Sequence, residues 1–490
     1  MEGLKNMQKK STMIDGFLMA SVRIVIIVFS MLITMILSRT LPLADYGTYS
    51  TGNLIINTAT SLSAMGLLDA VNYYYNGVKC NREKYINTVF LCIVVLGFLA
   101  ASIIMLFQDL LTAYFHNPKL ATIYAYIALR PFLDNLALGF NKLQLSIGNA
   151  RFVAIRNFLI SLGKLVIVFF VSSTTKNIDT IFQCILLLEI FTVTLNLLLL
   201  EKNSVHIRIH KSDLSLLPEI LKFCLPMGIY IQASAIAKSL DVFVIGRFEP
   251  TEQLAIYANC SAHLPIDFIP IAFLTVLIPR ITTYVQNRNI TGGTRLIQNF
   301  VKVAYMTTWA FGTACIVLTP QAINFLYGSK YLEGSTIFIL YAIADMLCLS
   351  HISIFLSAKG DTKTLMWISL GTLGVNLIFN FLAYLLIGFI GPAIVTVIVM
   401  TCSTLYLLKK SAAIFNCSFL QLFDWWHLLK FLVSCILFGG CTLAFRLYLE
   451  QLNWNSTIIL ILCGFLCSVS ILGTNYKELR RAFTRLNQND

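Results

Sequence analysis

The sequence predicts an all-α integral membrane protein. Of its 490 residues, 57% are hydrophobic and only 12% charged, about half the charged share of about 25% in a soluble domain. The mean hydropathy is +0.78. Apolar runs long enough to cross a bilayer, about 17–25 residues, recur from one end of the chain to the other.

These runs fall near 17–37, 52–72, 86–107, 120–143, 154–172, 179–200, 222–246, 261–283, 299–319, 335–358, 364–386, 388–408, 427–448 and 455–474. About fourteen spans are therefore expected. In lipid each must satisfy its own backbone, so each reads as a helix. The short alternating strands of a transmembrane barrel do not occur. The first run follows a basic start, is long enough to span, and shows no small-residue cleavage signal, so it is expected to remain as the first helix.

Lys and Arg set the orientation. With an even number of spans and a cytoplasmic N-terminus, 25 of the 36 cationic residues fall in cytoplasmic stretches, including Lys79 and Arg288, and only six on the other side. Both termini are expected in the cytoplasm. The net charge of +13 is largely this topological signal, which argues against a nucleic-acid partner. The thirteen cysteines lie mostly in apolar runs, as Cys92, Cys184, Cys315 and Cys463 do, and behave there as small hydrophobes. No CxxC pair occurs, and His206 with His210 in "HIRIH" reads as a solvated basic stretch, so neither a metal nor another cofactor is expected.

The chain also repeats itself. "RTLPLADYGTY" (Arg39–Tyr49) is echoed by "RFEPTEQLAIY" (Arg247–Tyr257), and "GNARFVAIRN" from Gly148 by "GDTKTLMWIS" from Gly360. The echoes predict two parallel-related six-helix bundles, residues 1–200 and 201–408, followed by two extra helices and a cytoplasmic tail in 409–490. In the first stretch Pro42 ends a helix. Gly47 is expected to supply a positive φ in a tight turn, and Tyr46 and Tyr49 to sit at the membrane interface. "NYYYN" (Asn72–Asn76) reads likewise as an interface anchor.

The first of these stretches resembles the connection after the first helix in Wzx-type oligosaccharide flippases, of the multidrug/oligosaccharidyl-lipid/polysaccharide exporter superfamily. "LPMGIYIQASAIAKSLDVFVIGRFEPTEQLAIYANCSA" (Leu225–Ala262) is similar to that family's seventh helix and its exit, "FLYGSKY" (Phe325–Tyr331) to its LYG-x-x-Y turn, and "NLIFNFLAYLLIGFIGPAIVTV" (Asn376–Val397) to its N-x-x-x-N run, with Pro392 where an alanine is usual. The resemblance implies a multi-pass protein of the bacterial cytoplasmic (inner) membrane. It would translocate undecaprenyl-pyrophosphate-linked oligosaccharide units outward for O-antigen or capsule assembly, by alternating access around a cationic cavity. Membrane lipids, a polysaccharide polymerase and a chain-length regulator are the implied partners. A peptidoglycan-precursor flippase or a cation-coupled multidrug antiporter of the same superfamily is the alternative. Short external loops, and the lack of paired carboxylates or a phosphate-cradling glycine loop, argue against an enzyme.

A charge at bilayer depth costs about 2.5–3.5 kcal/mol on insertion scales, so each such residue needs a reason. Arg23, Arg130, Asp134, Lys164, Glu189, Lys238, Asp241 and Asp345 lie inside expected spans, and Asp69, Lys142 and Asp267 near span ends. Arg130 with Asp134, and Lys238 with Asp241, have helical spacing for mutual neutralisation. Lys164 either pairs with Glu189 or faces a wet cavity. Arg130 and Lys164, then Arg23 and Lys238, are the candidate cations for a diphosphate-bearing cargo. Glu189 and Asp345 are the candidates for ion coupling.

Reporter fusions test the orientation. Those at Asp109, Lys330 and Glu450 are expected to read outside, and those at Lys202 and Lys477 inside. A cytoplasmic reading at Lys330 contradicts the fourteen-span map.

Overall fold

The computed structural model describes residues 2–487 except 78–80, 203–206, 267–269, 271–276, 278–279, 288 and 349–351. About half of the eighth expected span, together with Asp267, His206, Lys79 and Arg288, lies outside the described residues. Those that are described form helices and connections, with no strand among them.

The chain divides into two compact units, Met1–Ser239 with Gly246–Ala255, and Leu240–Ile245 with Ile256–Asp490. In the first unit the helices are α1 (Glu2–Thr40), α2 (Leu43–Ala64), α3 (Leu67–Gly77), α4 (Arg82–Leu106), α5 (Gln108–Tyr114), α6 (Tyr124–Ser146), α7 (Ala150–Thr174), α8 (Ile178–Lys202) and α9 (Leu217–Ala237). Next come α10 (Leu240–Phe248) and α11 (Thr251–Cys260), each shared between the two units. The second unit continues with α12 (Ile290–Val317), α13 (Thr319–Leu326), α14 (Ser335–Leu347), α15 (Ile354–Lys359), α16 (Thr362–Ile387), α17 (Gly391–Ile414), α18 (Trp425–Gln451), α19 (Ser456–Thr474) and α20 (Tyr476–Asn487).

Among the described residues, ten helices, counting α2 with α3 as one, are long and apolar enough to cross a membrane. An eleventh is the bent pair Leu214–Pro226 and Gly228–Ala237. The other expected spans have local reasons for falling short. Three charged residues, Arg130, Asp134 and Lys142, interrupt the apolar character of α6. The tenth expected span is split between α14 and α15.

One helix organises each unit. In the first, α6 packs against α2, α3, α4, α7 and α8. It buries Ile127, Leu133, Leu136 and Phe140, and Gly97 of α4 lets the Cα of Phe132 approach to 3.1 Å of where a Cβ would stand. In the second, α12 packs against α13, α14, α18, α19 and α20, burying Leu296, Phe300, Tyr305 and Ala310. A helix surrounded on several sides has little lipid contact, and so can carry polar groups on the faces turned to its neighbours.

Each member of the second echo adopts the same local structure. Gly148 (φ +96°) and Gly360 (φ +80°) each sit in the left-handed region after a helix. Their amides bond to Leu145 and Ser357 carbonyls, and the next amides, of Asn149 and Asp361, reach back to Gln144 and Leu356, each at 3.0 Å. This is the Schellman closure of a helix, and it requires a residue that tolerates positive φ. The first echo corrects an expectation. Pro42 does start α2, but Gly47 is buried within that helix rather than in a left-handed turn. A Cβ there would collide with the carbonyl of Thr251, the residue that follows Pro250 in the echoing stretch. Gly47 is thus required by close approach of two backbones. Tyr46 is also buried, at 4% exposure, and not an interface anchor. Of "NYYYN", Tyr74 is buried and stacks on Tyr85 at 4.6 Å, while Tyr73 is exposed.

Gly47→Val should lower the yield of folded protein by steric displacement of Thr251. Gly360→Ala should lower stability by about 1–2 kcal/mol, the cost of a Cβ in the left-handed region, read as a lower unfolding midpoint of purified protein. A normal yield of Gly47→Val contradicts the close-approach account.

Candidate functional site

Four charged side chains converge in the first unit. Arg130 of α6 lies 3.4 Å from Asp134, one turn further on, and 3.8 Å from Glu189 of α8. Lys164 of α7 forms an ion pair with the same Glu189 oxygen. The side chain of Glu189 is only 5% exposed, that of Arg130 11%, and that of Lys164 31%. The sequence left open whether Lys164 pairs with Glu189 or faces a wet cavity, and the fold pairs it with Glu189. The cluster holds two cations and two carboxylates, so it is electrically balanced while all pairs are closed. Removing one partner from a buried pair leaves an uncompensated charge at a cost of about 3–5 kcal/mol. Lys164 is the most exposed member of the cluster.

A second face of α6 is polar as well. Asn135 donates to the Thr60 carbonyl at 3.1 Å and to Ser63 at 2.8 Å. Lys142 pairs with Asp69 of α3 at 3.0 Å. These groups help to line a cavity of about 240 Å³ at the break between α2 and α3. There Met65 and Gly66 take positive φ, and Gly228 of α9 lets the Met65 backbone approach to 2.7 Å of where a Cβ would stand. Helices that break at membrane depth do so where their freed backbone groups are covered or line a cavity, and broken helices mark substrate sites in transporters. The sequence signal was Gly66 within an apolar run, which the span reading passed over.

The other predicted residues stand apart. Arg23 on α1 is exposed and makes no ion pair with a described residue. Lys238 is exposed just beyond the end of α9. Its expected neutralisation of Asp241 is corrected, because the helix breaks at Lys238 and Ser239 and α10 begins at Leu240. The 1% exposed Asp241 instead accepts hydrogen bonds from the hydroxyls of Tyr257, at 3.1 Å, and Tyr341. In the same unit Asp345 of α14 holds His263 Nδ1 at 2.6 Å and accepts the Leu264 amide at 2.8 Å. The His263 ring lies edge-on to Tyr341 at 5.5 Å. Asp241, Tyr341, His263 and Asp345 therefore form one continuous acidic and aromatic group. Sequence reasoning missed His263, a lone histidine beside an apolar run, and Tyr341. Tyr257 was visible only as the echo of Tyr49.

The comparisons with known proteins agree with this architecture. The family described as polysaccharide biosynthesis protein matches residues 36–336. No curated protein matches the chain. Among solved structures, the inward closed conformation of the lipid II flippase MurJ is similar with a TM-score of 0.70. Its identity is 16%, over 94% of this chain and 99% of that one. An inward-facing multidrug resistance MATE family transporter of the MOP superfamily is similar at 0.63, with 15% identity over 81% and 98%. A MOP superfamily transporter from Pyrococcus furiosus, whose binding pocket is described as reversed in polarity, is similar at 0.51, with 13% identity over 81% and 94%. At these identities the likeness is one of fold. The structure is thus all-α with the fold of MOP superfamily transporters, in line with the resemblance to Wzx-type flippases, and the chain belongs to the polysaccharide biosynthesis protein family.

Proposed function

We propose that the protein carries undecaprenyl-pyrophosphate-linked oligosaccharide units from the cytoplasmic to the outer leaflet of the bacterial inner membrane, for O-antigen or capsule assembly. The observation that carries this reading is the cluster of Arg130, Lys164, Glu189 and Asp134 inside a helical unit of a polysaccharide biosynthesis family chain. A diphosphate and a hydrophilic glycan must cross a medium that does not solvate them, and fixed cations supply that solvation. Because Glu189 already occupies both cations, cargo enters by exchange. The diphosphate takes Lys164 and then Arg130 while the carboxylates are released. Transport by this exchange couples cargo to charge without leaving a cation unpaired at any stage.

The reading includes fourteen spans, both termini in the cytoplasm, functional bundles at 1–200 and 201–408, and alternating access without covalent chemistry. A polymerase and a chain-length regulator would take the product. The alternative, a cation-coupled antiporter, draws on His263, Asp345 and Asp241. In the flippase reading the same group serves as a proton-linked coupling site. An antiporter confers drug resistance on a sensitive host, and a flippase restores surface polysaccharide.

The test is surface polysaccharide in a strain lacking its own flippase, with membrane protein quantified alongside. Wild type is expected to restore it, Lys164→Ala to abolish it at normal protein level, and Lys164→Arg to retain part of it. If Lys164 binds cargo, the double change Lys164→Ala with Glu189→Gln stays inactive, although Arg130 and Asp134 remain balanced. Rescue by the double change assigns Lys164 to neutralising Glu189 and contradicts its cargo role.

A further inference from the structure

The second unit carries a basic cavity that the transport cluster does not use. Its volume is about 650 Å³, and four cations, Arg280, Arg295, Lys302 and Arg485, line it against one carboxylate, Asp424. It lies where three apolar helices end on one side. The N-terminal half of α12 supplies Arg295 and Lys302, the residue just before α18 is Asp424, and α20 follows directly on α19. This is the membrane–water boundary of the unit, and positive-inside counting makes it the cytoplasmic one.

The cavity is built rather than incidental. Lys302 is only 16% exposed, and it holds Glu478 at 2.7 Å and Asp424 at 3.6 Å. Arg280 donates to the Leu486 carbonyl at 2.5 Å. These two contacts fasten the twelve-residue α20, too short to span. Leu479, Ala482, Phe483 and Leu486 of α20 turn into the core cluster around α12. Its cations Lys477, Arg480, Arg481 and Arg485 surround a further pocket beside the first, and Arg485 belongs to both. A helix with an apolar face against protein and a cationic face beside it is the pattern of an interfacial element facing anionic lipid. The positive end of the α12 dipole adds to the same field. Among the described residues that line the cavity, cations outnumber carboxylates by four to one.

We propose that this cavity binds a phosphate-bearing anion at the membrane surface, either the phosphate of an anionic lipid headgroup or a free diphosphate. Guanidinium forks at Arg280, Arg295 and Arg485 match phosphate oxygens, and Lys302 adds a point charge from behind. The glutamine and asparagine amides of Gln298 and Asn299 add neutral donors on the same wall. The proposal is independent of the transport reading, since cargo binding in the first unit can fail while this cavity still binds.

The experiment uses full-length protein with Arg295→Gln and Arg485→Gln together, both exposed positions. The control removes two cations elsewhere in the same unit, Lys409→Gln with Lys410→Gln, which do not line the cavity. Native mass spectrometry reads retained phosphatidylglycerol against phosphatidylcholine, and calorimetry reads inorganic pyrophosphate. The expected result is a loss of about tenfold or more for one of the two probes in the cavity variant and little change in the control. Loss of phosphatidylglycerol retention alone assigns the lipid headgroup, and loss of pyrophosphate binding assigns the free anion. The size-exclusion profile of the variant must match wild type, and if it does not, Arg485→Gln alone is measured in the same way. Equal losses in variant and control, or no loss for either probe, overturn the proposal.

Discussion

The interaction on which the first unit depends is the Glu189 carboxylate, held between Arg130 and Lys164. An isolated carboxylate almost without exposure is untenable at membrane depth, where each unpaired charge is costly. Pairing it ties α8 to α6 and α7 at one point. The same requirement explains why α6 is the central helix: only a helix enclosed by neighbours on several sides can present Arg130 and Asp134 to partners on one face and Asn135 and Lys142 on another. The charges set the packing order as much as the apolar surface does.

The second unit meets the same constraint with different chemistry. Asp241 and Asp345 are also buried, but tyrosine hydroxyls, a histidine and backbone amides satisfy them in place of cations. The first unit therefore holds its carboxylates with cations. The second holds its own with hydroxyls, a histidine and backbone amides. The repeated tyrosine reflects this division. Tyr49 packs its ring 5.6 Å from that of Phe182, while Tyr257 donates to Asp241. An internal repeat has kept the backbone turn and diverged in the charge beneath it.

Much of the fold was legible because lipid imposes one rule along the whole chain: long apolar runs become helices. The echo at Gly148 and Gly360 was legible because a positive-φ glycine before a helix start has a distinct signature. The pairing of Lys164 with Glu189 could be named but not decided, since it depends on how two helices are rotated against each other. Gly47 was misread because a glycine needed for close approach looks the same in sequence as one needed for a turn. The Lys238 and Asp241 pair failed because a two-residue helix break leaves no compositional trace. His263 and Tyr341 come together only through contacts between residues far apart in the chain, which periodicity does not encode.

The central claim is that Arg130 and Glu189 are energetically coupled members of one balanced cluster. A double-mutant cycle on purified protein measures it most directly, comparing unfolding of Arg130→Ala, Glu189→Ala and the pair together. The account predicts strong non-additivity, with a coupling of about 1–3 kcal/mol, as for contacting charged residues. Additive effects, within about 0.5 kcal/mol, would show that the two groups do not share one electrostatic site and would contradict the account.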